Sequence, residues 1–207
     1  IVGTGAGQVY SALGPTHHST EDLGGLRALP NLTIICPASP LEVRKATVAA
    51  YEHEGPVYLR LGTNREPEIY DKNYEFQIGK AVTLREGKDV TLIGTGSILK
   101  DVLDAADQLE SEGISVRVID MHTIKPVDKE AIIKAVDETG SIMTVEDHNV
   151  TGGFGSAVAE VIAEYGKGVR FRRLGLGSFS EGYGTYTQVK EQNGIGTGAI
   201  CDLVKKL

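Results

Sequence analysis

An α/β protein made of two consecutive three-layer α/β/α domains is what this sequence predicts, on three observations. Short β-branched runs alternate with segments of helical spacing, the pattern of a mostly parallel sheet with helices on both faces. Apolar runs such as "DVTLIGTG" and "SIMTVEDHNVTGGFG" pass into glycines, where such folds turn from strand to helix. The texture changes once, after Gly62, where "TNREPEIYDKNYEFQIG" is polar and aperiodic. These set a first domain at 1–62, a linker at 63–79 and a second domain at 80–207.

The elements follow in order. "IVG" reads as the end of a strand whose beginning lies upstream, so the first domain is expected to be incomplete. Residues 16–29 suit a helix, capped by Thr16, Ser19 or Thr20 and closed by Pro30. "LTIIC" is a buried parallel strand. Ser39 and Pro40 open a helix to His53, by cap and first-turn proline. "PVYLRLG" is the next strand. In the second domain "KAVTLREG" and "DVTLIGTG" read as an antiparallel hairpin about a Gly-Lys-Asp turn. Then come helix 98–112, strand "SVRVIDM", helix 128–137, strand "SIMTVED", helix 155–165, strand "VRFRRLGLG" and a last helix, 197–207. The second domain is thus a mostly parallel five-stranded sheet with one antiparallel edge strand.

Bulk chemistry excludes several classes. The chain has 207 residues, 41% of them hydrophobic and 24% charged, which places it among soluble globular proteins. A net charge of -7 argues against nucleic acid and anionic membranes as partners, since both need a basic face. Cys36 and Cys201 lie in apolar surroundings and make no disulfide framework, so a reducing, cytoplasmic location is expected. No apolar run approaches a membrane span, and no signal peptide is visible.

Three places invite chemistry. Gly94-Thr95-Gly96, with Asp120 ending the next strand, imitates a dinucleotide site. Leu99 stands where the third glycine belongs, so a nucleotide-binding oxidoreductase is the weak reading and Asp120 is a polar strand end. The loop from Glu146 into "NVTGGFG" has the form of an anion site at a helix start, but it carries no Lys or Arg; a packing turn is the better reading, and Glu146 with His148 makes a poor zinc site. The third place is "LGPTHHST". A neutral imidazole, with an ordinary pKa of ~6.5, exchanges protons and hydrogen bonds near neutrality. Gly14-Pro15 holds the loop at a strand's carboxyl end, where α/β folds keep ligands. Nothing surrounds a serine in the manner of a hydrolase elbow.

"LGPTHHSTEDLGGLRALPNLTIICPASPLEV" resembles the pyrimidine-binding domain of transketolase and its thiamine-diphosphate relatives, and "GPVYLRLG", "DMHTIKPVD" and "VEDHNVTGGFGSAVAE" continue the likeness into the transketolase C-terminal domain. The resemblance implies a transferase that moves a two-carbon ketol unit between sugars or sugar phosphates. It implies thiamine diphosphate and Mg2+ as cofactors, held mainly by an N-terminal domain or subunit outside this chain. It implies a homodimer through the C-terminal domain. The histidine of "GPTH" falls on His17, the expected catalytic and substrate-binding residue; His18 is then architectural. The family's phosphate-gripping His and Arg and its hydroxyl-reading acid fall on Gly5, Thr63 and Leu13, so Arg60 and Arg65 become the candidate substrate-binding cations. The family's cofactor-protonating glutamate lies upstream of Ile1, so these residues alone are expected to be inactive. The alternative is a non-catalytic dimerisation module.

Overall fold

The computed structural model describes residues 1–63 and 66–207. The first sheet has strand order β1-β3-β2-β7, with β1 at Val2–Thr4, β2 at Thr33–Ile35, β3 at Val57–Leu61 and β7 at Thr123–Lys125. β3 is parallel to both β1 and β2. The helix expected over 16–29 is shorter than its cap and proline implied. Pro15–His17 form a 3-10 turn, and only Asp22–Leu26 are α-helical, as α1. Gly24 and Gly25 inside that segment weaken propagation, and Glu21 gives it no side-chain cap. Helix α2, Pro40–Glu52, begins as its sequence dictates, with Ser39 Oγ accepting from the Glu42 N–H.

The second sheet has order β4-β6-β5-β8-β9, where β4 is Val82–Arg85, β5 Val90–Gly94, β6 Val116–Asp120, β8 Ser141–Asn149 and β9 Arg170–Leu176. Five strands with one antiparallel edge match the expectation, but the hairpin does not form. β4 pairs antiparallel with β6, and β5 lies beyond β6, parallel to it. The reason lies in Gly87, where a β-carbon would overlap the backbone of Val116. The side-chain-free turn crosses over the start of β6 and delivers the chain to its far side. Around this sheet lie α3 (Leu99–Ser111), α4 (Lys129–Glu138), α5 (Phe154–Tyr165), α6 (Tyr186–Gln192) and α7 (Thr197–Val204). Leu99 does not hold α3 off the sheet, as the dinucleotide comparison implied. It is fully buried against Gly94, whose missing side chain makes the room.

The two sheets are not independent. β7 follows β6 in the chain yet pairs antiparallel with β2, so the second segment supplies an edge strand to the first sheet. The Cys36 N–H also donates to the His122 carbonyl at 2.7 Å. One hydrophobic cluster runs through both parts, joining Leu23, Ile34 and Cys36 to Ile93, Ile119, Ile132 and Phe154. The polar 66–79 stretch packs into this junction. The Tyr70 hydroxyl donates to Asp120 Oδ2 at 2.5 Å, and the Tyr74 hydroxyl donates to Glu42 Oε1 at 2.6 Å. The two rings stack at 3.8 Å between centroids. Asp120 is therefore more than a polar strand end: with Glu42 it forms a fully buried carboxyl pair between the two parts. Burial raises both carboxyls, and the charge of Glu42 raises Asp120 further.

Candidate functional site

The twin-histidine corner is built from both parts of the chain. Gly7 and Ser19 exchange backbone hydrogen bonds at 2.9 Å in each direction, closing residues 7–19 into a loop. At its base the Gln8 N–H donates to Asp147 Oδ2 at 2.8 Å, and the Tyr186 hydroxyl donates to the same oxygen at 2.8 Å. Gln8 Nε2 donates to Ser180 Oγ at 2.5 Å, and Ser180 Oγ lies 2.7 Å from His18 Nδ1. Nearer the tip, the Gly184 N–H donates to the Ser11 carbonyl, and Gly14, at φ 76°, leaves room for the Tyr183 ring.

The two histidines separate cleanly. His18 is half-buried and tied to Ser180; burial first, and His17 second, lower its pKa and keep it neutral. The Ser180 oxygen already accepts from Gln8, so its proton is free for His18 Nδ1. His17 is exposed, and its Nδ1 lies 3.0 Å from Thr16 Oγ1. It stands at the end of the 3-10 turn, on the outer face of the corner.

The anion-like turns are closed by the chain's own groups. Glu146 Oε2 and Oε1 accept from the N–H groups of Phe154 and Gly155, at 2.6 and 2.9 Å, and so cap α5. Burial pushes this carboxyl up to about 7, against the pull of those two donors. His148 Nε2 accepts from the Leu23 N–H at 3.1 Å and so covers the uncapped start of α1. His148 Nδ1 lies 2.7 Å from the Asn149 carbonyl oxygen, fixing the tautomer. Among the described residues, no group of three or more His, Cys, Asp or Glu side chains could hold a metal ion.

Arg60, expected to face a substrate phosphate, lies in the interior at 5% exposure. Its Nε donates to Asp22 Oδ2 at 2.9 Å, and its NH2 donates to the carbonyls of Ser19 and Asp147 at 2.8 and 3.2 Å. Its Nε and NH2 donors are committed because it stands on β3, directly beneath the loop base. Burial opposes ionisation of Asp22, but the Arg60 guanidinium outweighs it and holds that carboxyl below its usual range. Arg65 lies outside the described residues. Gly5 has φ 82°, and a β-carbon there would overlap the Tyr10 ring; Leu13 is 53% exposed. Thr63 lines a cleft of about 780 Å³ together with Val9, Ser11, Ser97, Lys100 and Thr185; His17 is not part of its wall.

Sequence reasoning missed Asp147, Ser180 and Tyr186, which hold the loop from the second part. Gly7 carried a signal. At φ 61°, with a virtual β-carbon overlapping the Asp147 carboxylate and carbonyl, it admits no side chain. Gly7→Ala is therefore expected to destabilise the fold by about 3 kcal/mol, read as a lowered urea midpoint; an unchanged midpoint would mean that the loop does not rest on Asp147 in solution.

Known proteins share both parts. Residues 1–66 match the family profile "Transketolase, pyrimidine binding domain", and residues 79–198 match "Transketolase, C-terminal domain". The chain is 38% identical over 210 residues to an apulose-4-phosphate transketolase subunit of Actinobacillus succinogenes, covering 100% of this chain and 67% of that protein. It is 40% identical over 179 residues to a putative transketolase C-terminal section of Methanocaldococcus jannaschii, covering 85% of this chain and 55% of that protein. Among solved structures, a split-gene transketolase described as an inactive beta4 tetramer superposes with TM-score 0.89 at 37% identity, over 100% of this chain and 65% of the other. The transketolase of Campylobacter jejuni shares the fold, with TM-score 0.78 at 22% identity, over 100% of this chain and 31% of the other. The chain thus spans about two thirds or less of each of these relatives.

Proposed function

This chain belongs to the transketolase family, and from that premise we propose that it is one wall of a composite active site for two-carbon ketol transfer between sugars. His17 is the residue that meets the substrate. The observation carrying the reading is the asymmetry of the corner: His18 is spent on Ser180, while His17 is exposed on a loop fixed from two sides. An imidazole so held can hydrogen-bond a substrate carbonyl or hydroxyl and share the charge that develops there.

Among the described residues no side-chain cluster fits Mg2+, and neither glycine turn fits a diphosphate. The turn before α5 is closed by the Glu146 carboxylate, and the turn after β5 by Leu99 packed on Gly94. The cofactor, which supplies the carbanion chemistry of this family, belongs in this reading to an N-terminal domain or subunit, with the chain's copies paired through the C-terminal domain in the cytoplasm. The test is reconstitution. This chain's complete polypeptide, mixed with its cofactor-binding partner, should transfer ketol units, and neither component should do so alone. Activity of either part on its own would refute the composite site.

Substrate phosphate is the finer question. Position 5 has no side chain, Leu13 is apolar, and Arg60 is buried with its Nε and NH2 donors committed within the protein. We assign Arg60 to the scaffold, and we expect a weak preference of this wall for phosphorylated over free sugars, with Arg65 the remaining candidate cation. Arg60→Met should leave the half-buried Asp22 without its ion-pair partner, holding only the Tyr58 hydroxyl, and lower unfolding stability by about 3 kcal/mol, measured in urea. An unchanged midpoint with a raised KM for a sugar phosphate alone would return Arg60 to the substrate.

A further inference from the structure

The C-terminal portion does more in this chain than add a layer of helices. Among the described residues, every side chain outside the 7–19 loop that grips it, apart from Arg60, comes from residues 147–186. Asp147 is 4% exposed, Ser180 5% and Gln8 0%. The contacts form a closed relay. Asp147 fixes the backbone of Gln8; Gln8 fixes the Ser180 oxygen; Ser180 fixes His18; and His18 is covalently the next residue after His17. Tyr186, the first residue of α6, holds the other side of Asp147 Oδ2. Among the described residues, no second hydrogen bond ties the His18 ring to the body of the protein. The ring's rotation is therefore set by one hydroxyl on a segment 162 residues away, while the peptide joining it to His17 is held within the 3-10 turn by the His18 N–H on the Pro15 carbonyl.

We propose that Ser180 and Asp147 are positioning residues that hold His17 in its productive place from the second domain. The inference rests on the role assigned to His17 above. Small displacements of a reacting group cost rate steeply, whereas they cost binding little. Removing the Ser180 hydroxyl should therefore act on turnover.

The test uses the complete polypeptide assembled with its cofactor-carrying partner. Ser180→Ala should lower kcat about tenfold with KM changed less than about twofold, and Ser180→Thr, which keeps the hydroxyl, should restore most of the rate. A double-mutant cycle excludes a merely structural effect. The S180A/H17A double variant should be no slower than H17A alone; losses that multiply would overturn the inference. A second measurement needs no catalysis. In the same assembly, backbone amides of residues 7–19 should exchange hydrogen about tenfold faster in S180A, with β5 and β8 unaffected; unchanged exchange would overturn the anchoring. Faster exchange in S180A alongside full activity of H17A would uphold the anchoring and remove the role of His17. Tyr186→Phe, which deletes one hydroxyl at the same anchor, should reproduce the S180A pattern.

Discussion

Replacing His17 by alanine is expected to reduce ketol transfer by the reconstituted enzyme by about 10²–10⁴-fold, with the urea midpoint unchanged. The two halves of that expectation come from different observations. The stability half follows from exposure: the side chain touches only its neighbour Thr16 by hydrogen bond, and surface substitutions of this kind stay within about 0.5 kcal/mol. The activity half follows from placement on a loop whose base is clamped from both parts of the chain, so that the exposed ring is presented from a fixed point. His17→Asn, which retains a hydrogen-bond donor, should recover part of the loss if the imidazole binds an oxygen, and none of it if it must accept a proton. Full activity in H17A would end the assignment.

The second large effect concerns pH and the buried Glu42–Asp120 pair. Both carboxyls are raised by burial, so the folded chain keeps protons that the unfolded chain releases above about pH 4. Stability from the pair is complete below the unfolded pKa values and is lost as pH rises through the raised folded ones. Glu146, pushed up to about 7, and Asp147, raised by burial, act with the same sign. The buried histidines oppose them. His122 is driven by burial down to about 4, and His148 is lowered too, so their contributions are lost as pH falls below about 6.5. Above about pH 6.5 the histidines add no further slope, so a fall in stability with rising pH there comes from the acids. Asp120→Asn keeps an acceptor for Tyr70 and removes the charge. It should flatten the fall in stability with rising pH by up to about 1.4 kcal/mol per pH unit where the pair titrates. Asp120→Ala, which strands the Tyr70 hydroxyl, should cost about 3 kcal/mol at pH 6. Urea unfolding at a series of pH values from about 4 upward reads both, and an equal slope in Asp120→Asn throughout would refute the pair's role.

The architecture is legible where local chemistry and tertiary context agree. Ser39-Pro40 opens α2, the apolar runs form β2, β5 and β8, and one edge strand of the second sheet runs antiparallel as its sequence suggests. The misplaced hairpin shows the limit. A short glycine turn reads the same whether the chain folds back or crosses a neighbour, and only the nearness of Val116 to Gly87 decides. β7 has three residues and pairs with a strand about ninety positions earlier, so no periodicity announces it. α6 did carry a signal, the Thr185 and Gln188 capping box, in a stretch too glycine-rich to invite one. At the corner, the expected asymmetry of His17 and His18 comes from the family resemblance of "GPTH" and not from local pattern. Asp147 and Ser180 are not readable in the sequence, since their meaning arises only when residues 8 and 18 are folded against them.

The edge strand lent across the junction has a bearing on how this molecule can be divided. Cleavage between Gly62 and Gly79 would sever the chain without parting it. The Thr123–Lys125 ladder and the apolar cluster spanning both sides would hold the pieces together as a noncovalent pair. The two matched profiles, 1–66 and 79–198, therefore divide the chain across contacts that join its two sheets.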